Sequence, residues 1–300
     1  MPDDAAATPN VRPATRAEAA DPRAMHAANR AAWDEAAERY ERWFDEAVEL
    51  IRGGGSNLFP VEEELLGDLR TGPAGSGTAR AIHLQCAAGR DTLSLWNLGA
   101  GEVIGVDISP RMLELAARLT AATGAPAHWI EADVLDTPHD LDGTADLVYT
   151  GRGAIIWLHD LDAWAAVLRR LLAPSGRLVI FDGHPAEWLF DADDDGRLVA
   201  TDYDYFGGAE ASKGWAPEYI DRLSIAEDDQ SWKFARAWTL GDIVTALAGA
   251  GLRIERLVEY PVDWWAGHRD LRPEDRGRLP LSFGITARRL PDGPPGDAGP

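Results

Sequence analysis

From Ala81 onward, short uninterrupted apolar runs alternate with stretches of helical period. AIHLQ is followed by DTLSLWNL, VIGVD by PRMLELAARLTAA, ADLVYT by DAWAAVLRRLL, with AHWIEAD and GRLVIFD as further runs. Strands of a parallel sheet read as continuous apolar runs because helices cover both faces and leave none to solvent. The alternation therefore predicts an α/β protein built on a doubly wound sheet. RIERLVEYPV and LSFGITARR supply two last strands, which makes seven. The helix before them starts at Thr239, whose hydroxyl caps the first turn while Asp242 completes a capping box.

Ahead of the sheet, Trp33, Ala36, Ala37, Tyr40, Trp43, Phe44, Ala47 and Leu50 recur at three- and four-residue steps. This is one stripe of a helix from Asn29 to Arg52, ended by Gly53-Gly54-Gly55. A second helical piece follows Pro60 and runs through Val61 to Leu69. The pattern divides the chain into a helical N-terminal unit over 24–72 and the sheet domain over 73–290. Within the latter, an acidic, aromatic insertion over 188–238 follows the fifth strand, and it is expected to lie over the sheet's edge. Residues 1–23 and 291–300 are rich in Pro, Ala, Asp and Gly with no hydrophobic period, and both are expected to be disordered.

Charge and composition narrow the partners. Fifty acidic against 29 basic residues leave a formal charge of -21, which repels phosphate backbones, so nucleic acid is an unfavourable partner. The same charge disfavours anionic membranes, and no apolar run approaches the roughly 18 residues of a span. No secretory signal is evident, and a cytoplasmic protein is expected. The single cysteine, Cys86, leaves no intramolecular disulfide or thiol-rich metal site. Twelve tryptophans are present, and Trp188, Trp215, Trp232, Trp238, Trp264 and Trp265 lie in one later stretch.

Ligands of doubly wound sheets bind beyond the carboxyl ends of the strands. The first end, His83 to Arg90, is a turn of small residues that lets backbone approach a ligand closely. The second end carries Asp107, 18 residues after Gly89, near the spacing at which a carboxylate grips ribose hydroxyls. Together they indicate a nucleoside, although Asp107 also suits a helix cap. The third end offers Asp133, able to accept from an exocyclic amine. The fourth, Tyr149 to Gly153, offers a hydroxyl, a glycine-flanked backbone and Arg152, which suits a substrate carboxylate or neighbouring acids equally. His184 follows the fifth strand in FDGHP and suits proton transfer or a structural turn, whereas His159 reads as surface.

The turn HLQCAAGRD, the acid in GVDISPRML, EADV, and ADLVYTGRGAIIW followed by LLAPSGRLVIFD resemble the class I S-adenosylmethionine-dependent methyltransferases, over roughly Ala81 to Pro185. NRAAWD and LSFGITARR resemble a small-molecule branch of that family. The turn departs from the family's glycine pattern, reading His83-x-Gln85-x-Ala87-x-Gly89. The resemblance implies a Rossmann-like, mostly parallel seven-stranded sheet with an N-terminal helical lid. It also implies S-adenosylmethionine as cofactor, S-adenosylhomocysteine as product, and no metal. It places Gln85, Cys86, Ala87 and Gly89 along the methionine part, Asp107 at the ribose, Asp133 and Val134 at adenine and Thr150 near the sulfonium, counts Ile108, Met112 and Gly151 among the cofactor-binding residues, and has Tyr40 cover the cofactor.

His184, Tyr149 and Arg152 are the candidate catalytic residues, and His83 is expected in the core or behind the site. Trp33, Trp157, Tyr203, Tyr205, Phe206, Trp215 and Trp238 are expected to wall in a substrate, since aromatic faces attract cations and exclude water. The implied activity is methyl transfer to a small apolar, aromatic or amine-bearing acceptor of specialised metabolism, by a monomer or homodimer. The rival keeps the cofactor and cyclises its methionine moiety with release of methylthioadenosine.

Overall fold

The computed structural model of the chain describes residues 10–70, 77–217 and 219–290. Among them, seven strands form one sheet: β1 (Arg80–Leu84), β2 (Glu102–Asp107), β3 (Ala127–Glu131), β4 (Ala145–Gly151), β5 (Leu172–Gly183), β6 (Leu252–Tyr260) and β7 (Ser282–Arg289). Their spatial order is β3-β2-β1-β4-β5-β7-β6. Strands β1 to β5 are parallel, and β7 runs antiparallel to both neighbours. The order reverses between β1 and β4, which opens the crevice where doubly wound sheets bind ligands.

The helices are α1 (Pro22–Arg42), α2 (Phe44–Arg52), α3 (Pro60–Leu66), α4 (Arg90–Asn97), α5 (Pro110–Thr123), α6 (Leu161–Leu171) and α7 (Leu240–Gly249). Because strand side chains alternate, Ile82, Ile104, Val106, Val148 and Ile180 pack on Trp164 and Leu168 of α6 and Ile243 and Leu247 of α7. Their neighbours Ala81, Val103, Leu147, Val179 and Phe181 pack on the other face against Ile51, Leu65, Leu93 and Leu119. Each fully buried aliphatic side chain contributes about 1.5–3 kcal/mol, so both layers hold the sheet. Local signals set the helix starts: Asp21 accepts from Ala24 N ahead of Pro22, and Ser109 from Met112 N ahead of Pro110.

The predicted helix over Asn29–Arg52 is two helices that break at Trp43. The N-terminal stretch differs from its expected disorder over residues 10–23. Val11–Pro13 pairs with Glu210–Ser212, which pairs in turn with Lys233–Ala235, and Thr15 and Glu18 cap a turn of helix at Arg16–Ala19. The pairing partner comes from the insertion, almost 200 residues away, so composition alone did not reveal it. Residues 1–9, 291–300 and the boundary at 72–73 lie outside the described residues. The latter part of the insertion crosses the carboxyl ends of the strands instead of the sheet's edge: Arg236 N donates to Ile156 O and Trp238 Nε1 to Leu158 O, both at 2.8 Å.

Candidate functional site

The turn after β1 is shaped by three residues in the left-handed region, Gln85 (φ 58°), Ala87 (φ 46°) and Gly89 (φ 78°). Such φ values cost a non-glycine residue about 1–2 kcal/mol. At Gly89 space also decides, since a Cβ there would come within 2.4 Å of the Trp129 ring. The turn is closed by Asp107 at the end of β2, which accepts from Ala87 N (2.7 Å) and Ser109 N (2.9 Å). Burial pushes the Asp107 carboxyl up to about 6, against the pull of these backbone donors.

The turn forms the floor of a cavity of about 350 Å³, within the range of small-molecule sites. Around it stand Asp107 and Ile108, Asp133 and Val134, and Gly151 to Ala154 from the ends of β2, β3 and β4. Its roof comes from α1 and α2, through His26, Asn29, Trp33, Tyr40 and Phe44. Tyr40, Gln85, Cys86, Ala87, Gly89, Asp107, Ile108, Asp133, Val134, Gly151, Arg152, Trp33 and Trp157 are thus brought together from the residues singled out by sequence. Trp215 packs behind Trp33 and Trp157, with ring centroids at 4.9 and 5.6 Å.

Other candidates stand elsewhere. Met112 and Thr150 are fully buried behind the cavity wall. Tyr149 is buried against α3, where its hydroxyl donates to Glu62; it shares a sheet face with Gly151, but Gly151 stands at the strand's carboxyl end and reaches the cavity. His184 caps the turn Pro185–Leu189 by accepting from Ala186 N (3.1 Å), and its Nε2 faces Glu259 Oε1 at 2.9 Å, outside the cavity. Tyr203 lies against Trp188, the Tyr205 hydroxyl accepts from Leu240 N, and Phe206 is 82% exposed. None of these three lines the cavity, nor does Trp238, which is anchored on Leu158 O. His159, expected at the surface, is buried. Asp182, at the end of β5, accepts from Gly153 N (2.6 Å) and Ile155 N (3.1 Å), and so shapes the loop that borders the cavity.

Sequence reasoning missed several groups at the far end. Glu62, wholly buried, accepts from Phe59 N (2.7 Å), Arg152 Nη1 (3.0 Å) and the Tyr149 hydroxyl. Burial raises its carboxyl to about 7, although Arg152 draws it down. Arg152 also stands 3.4 Å from Asp91 Oδ2, and this cation with Asn57 holds the Asp91 carboxyl low in spite of burial. Asp91 was visible in the turn motif, while Glu62 carried only a helix-start signal. His83 borders the cavity with Nδ1 2.8 Å from Thr92 Oγ1, and burial lowers it to about 4, so it is neutral near pH 7. Tyr219 and Trp265, from irregular segments, complete the wall.

The site is thus a cavity of about 350 Å³ at the switch point of a doubly wound sheet. Residues 81–176 match the family model of a methyltransferase domain. A demethylmenaquinone methyltransferase of Thermus thermophilus is 36% identical over 107 residues, which cover 35% of this chain. The match spans about half of that relative, 48% of its length. Among solved structures, an S-adenosylmethionine-dependent methyltransferase from Mesorhizobium loti shares the fold at 22% identity and a TM-score of 0.53, over 77% of this chain and 96% of its own. A geranyl diphosphate C-methyltransferase from Streptomyces coelicolor, solved with Mg2+, geranyl diphosphate and S-adenosylhomocysteine, does so at 16% identity and 0.50, over 77% and 75%. Over residues 81–176 the chain is thus similar to the methyltransferase-domain family, and its fold is that of solved S-adenosylmethionine-dependent methyltransferases. Among the described residues, no helix is long and apolar enough to cross a membrane.

Proposed function

We propose that the protein transfers a methyl group from S-adenosylmethionine to a small apolar or aromatic acceptor of specialised metabolism. The observation that carries this reading is the closure of the Gln85–Gly89 turn onto Asp107 at the cavity floor. Asp107 keeps lone pairs for ribose hydroxyls after accepting its two backbone bonds. Gln85 Oε1 is buried without a partner, a fit for a donor on the amino-acid end of the cofactor. Ile108 and Val134 supply apolar contacts for a base. When bound, the cofactor supplies a methyl group made electrophilic by a sulfonium.

The chain's own part is alignment and exclusion of water. Trp33, Tyr40, Trp157 and Tyr219 border the cavity, and their faces favour positive charge by about 0.5–2 kcal/mol each. With His184 and Tyr149 outside the cavity, neither takes the acceptor's proton, and the reading favours acceptors aligned without a dedicated base. The aromatic wall suits an apolar acceptor, and the Streptomyces structure was solved with geranyl diphosphate.

The test is mass spectrometry of adenosine species after incubation with S-adenosylmethionine, alone and with a panel of apolar and aromatic acceptors. S-adenosylhomocysteine and a methylated acceptor formed together are expected. Methylthioadenosine accumulating without acceptor would overturn the proposal.

A further inference from the structure

Asp133 stands where a carboxylate could read the exocyclic amine of a base, yet the protein already holds both of its oxygens. Oδ2 faces His26 Nδ1 at 2.8 Å and Arg23 Nη1 at 3.0 Å, and Oδ1 accepts from Leu135 N at 2.9 Å. A carboxylate offers about four lone-pair sites, and three are occupied. Arg23 also makes paired 2.7 Å bonds to Asp136. The Asp133 side chain is only 13% exposed, so there is little room for another donor.

His26 and Arg23 belong to α1, the roof of the cavity, and His26 has a second partner. Its Nε2 accepts from His159 N at 3.3 Å, so the partners assign Nδ1 as the nitrogen that donates to Asp133. His159 Nε2 in turn lies 3.2 Å from Phe234 O. One turn further along α1, on the same face, Asn29 donates to Phe234 O (2.9 Å) and accepts from Phe234 N (2.7 Å). A single face of α1 thus ties the end of β3, the loop after Trp157 and the strand Lys233–Ala235.

We propose that Asp133, His26 and Arg23 form a latch that closes α1 over the nucleoside end of the cavity, with His26 as a positioning residue, and that Asp133 does not read the base. The proposal rests on the cofactor reading above for its ligand, but the latch has a structural readout of its own. Release of α1 would also loosen the strand Lys233–Ala235, so cofactor retention and closure of the aromatic wall are coupled through His26 and Asn29.

The experiment compares the full chain with Asp133→Asn, which keeps the side chain's shape, and with His26→Leu. It measures dissociation of S-adenosylhomocysteine and of S-inosylhomocysteine, which carries an oxo group in place of the amine. Both variants are expected to speed dissociation of both ligands by about tenfold or more, the scale of one charge-assisted hydrogen bond. The double variant is expected to be little worse than either single one. The preference between the two ligands stays unchanged in Asp133→Asn.

A preference that collapses in Asp133→Asn alone, or unchanged dissociation in His26→Leu, would overturn the latch. Limited trypsin digestion without ligand, with thermal melting as the folding control, gives the independent arm. Faster cleavage within α1 in both variants is expected, and equal cleavage overturns the latch. Failure of the wild-type chain to bind either ligand would refute the cofactor reading while the digestion still decides the latch.

Discussion

The two ends of the cavity are built by different means. At the end floored by the Gln85–Gly89 turn, where the proposed cofactor's nucleoside would lie, three strand ends within residues 83–134 are joined mainly through backbone: Ala87 N and Ser109 N meet the Asp107 carboxylate, and Ala132 N meets Asp107 O at 3.0 Å. At the capped end the wall is side chain on side chain, Trp33 against Trp157, Trp215 and Tyr219 from three separate segments. Backbone geometry fixes atoms to a fraction of an ångström, which suits an invariant ligand. Aromatic pairs contribute about 0.5–1.5 kcal/mol each and tolerate several arrangements, which suits a wall that selects acceptors. The late tryptophans divide accordingly: Trp215 and Trp265 serve the cavity, while Trp238 anchors a loop and Trp232 lies under Arg12 and Lys213 at the surface.

The comparison breaks most severely at Gly89. Replacing it by Val forces a β-branched residue into left-handed backbone against Trp129, with an expected loss of about 3–5 kcal/mol in urea denaturation. Undiminished stability would mean that the floor is as adaptable as the cap.

Between the two ends, Glu62 supports Arg152, and its carboxyl titrates near 7 in the fold against 4.5 in the unfolded chain. A raised carboxyl contributes stability that is present below pH 4.5 and lost as pH rises through 7, on the order of 3 kcal/mol. Glu62→Gln is expected to remove that slope, seen as a flatter difference in unfolding free energy between pH 4.5 and 7.5. An identical slope in the variant would show Glu62 ionised throughout.

At the cap, Trp33→Ala is expected to leave S-adenosylhomocysteine affinity within about threefold. It should cost about tenfold or more in kcat/KM for an acceptor, measured by isothermal titration and by product formation. Equal losses in both would merge the two ends into one site. Phe206→Ser gives the smallest effect. Its ring is 82% exposed, and a change below about 0.5 kcal/mol in stability with unaltered turnover is expected, whereas a strong loss of turnover would return it to the substrate wall.

Much of the turn that floors the cavity was readable because spacing there is a local property. The distance from Gly89 to Asp107 is one helix and one strand, and the apolar runs set both. Depth along a strand was harder. The run ADLVYTG shows a strand, but only the tertiary packing shows that Tyr149 is covered by α3 and bonded to Glu62, while Gly151, on the same face, stands at the cavity. His184 suits proton transfer or a structural turn by sequence, and the fold sets it in the turn, beside Glu259 and Phe283 from β6 and β7. His159 looked like surface because its cover, Phe234, is 75 residues away.

The sequence by itself determined the doubly wound sheet, its seven strands, the small-residue turn and the acid that closes it. Each follows from hydrophobic period or from a spacing shorter than one β-α unit. Tertiary structure alone decided which aromatics face the cavity, that the N-terminal stretch pairs with the insertion, and that Asp133 belongs to α1. These depend on contacts between segments 100 or more residues apart, such as His26 with Asp133 and Asn29 with Phe234. Local pattern carries no information about which distant donor reaches a carboxylate first, because that is settled by the packing of helices over the sheet.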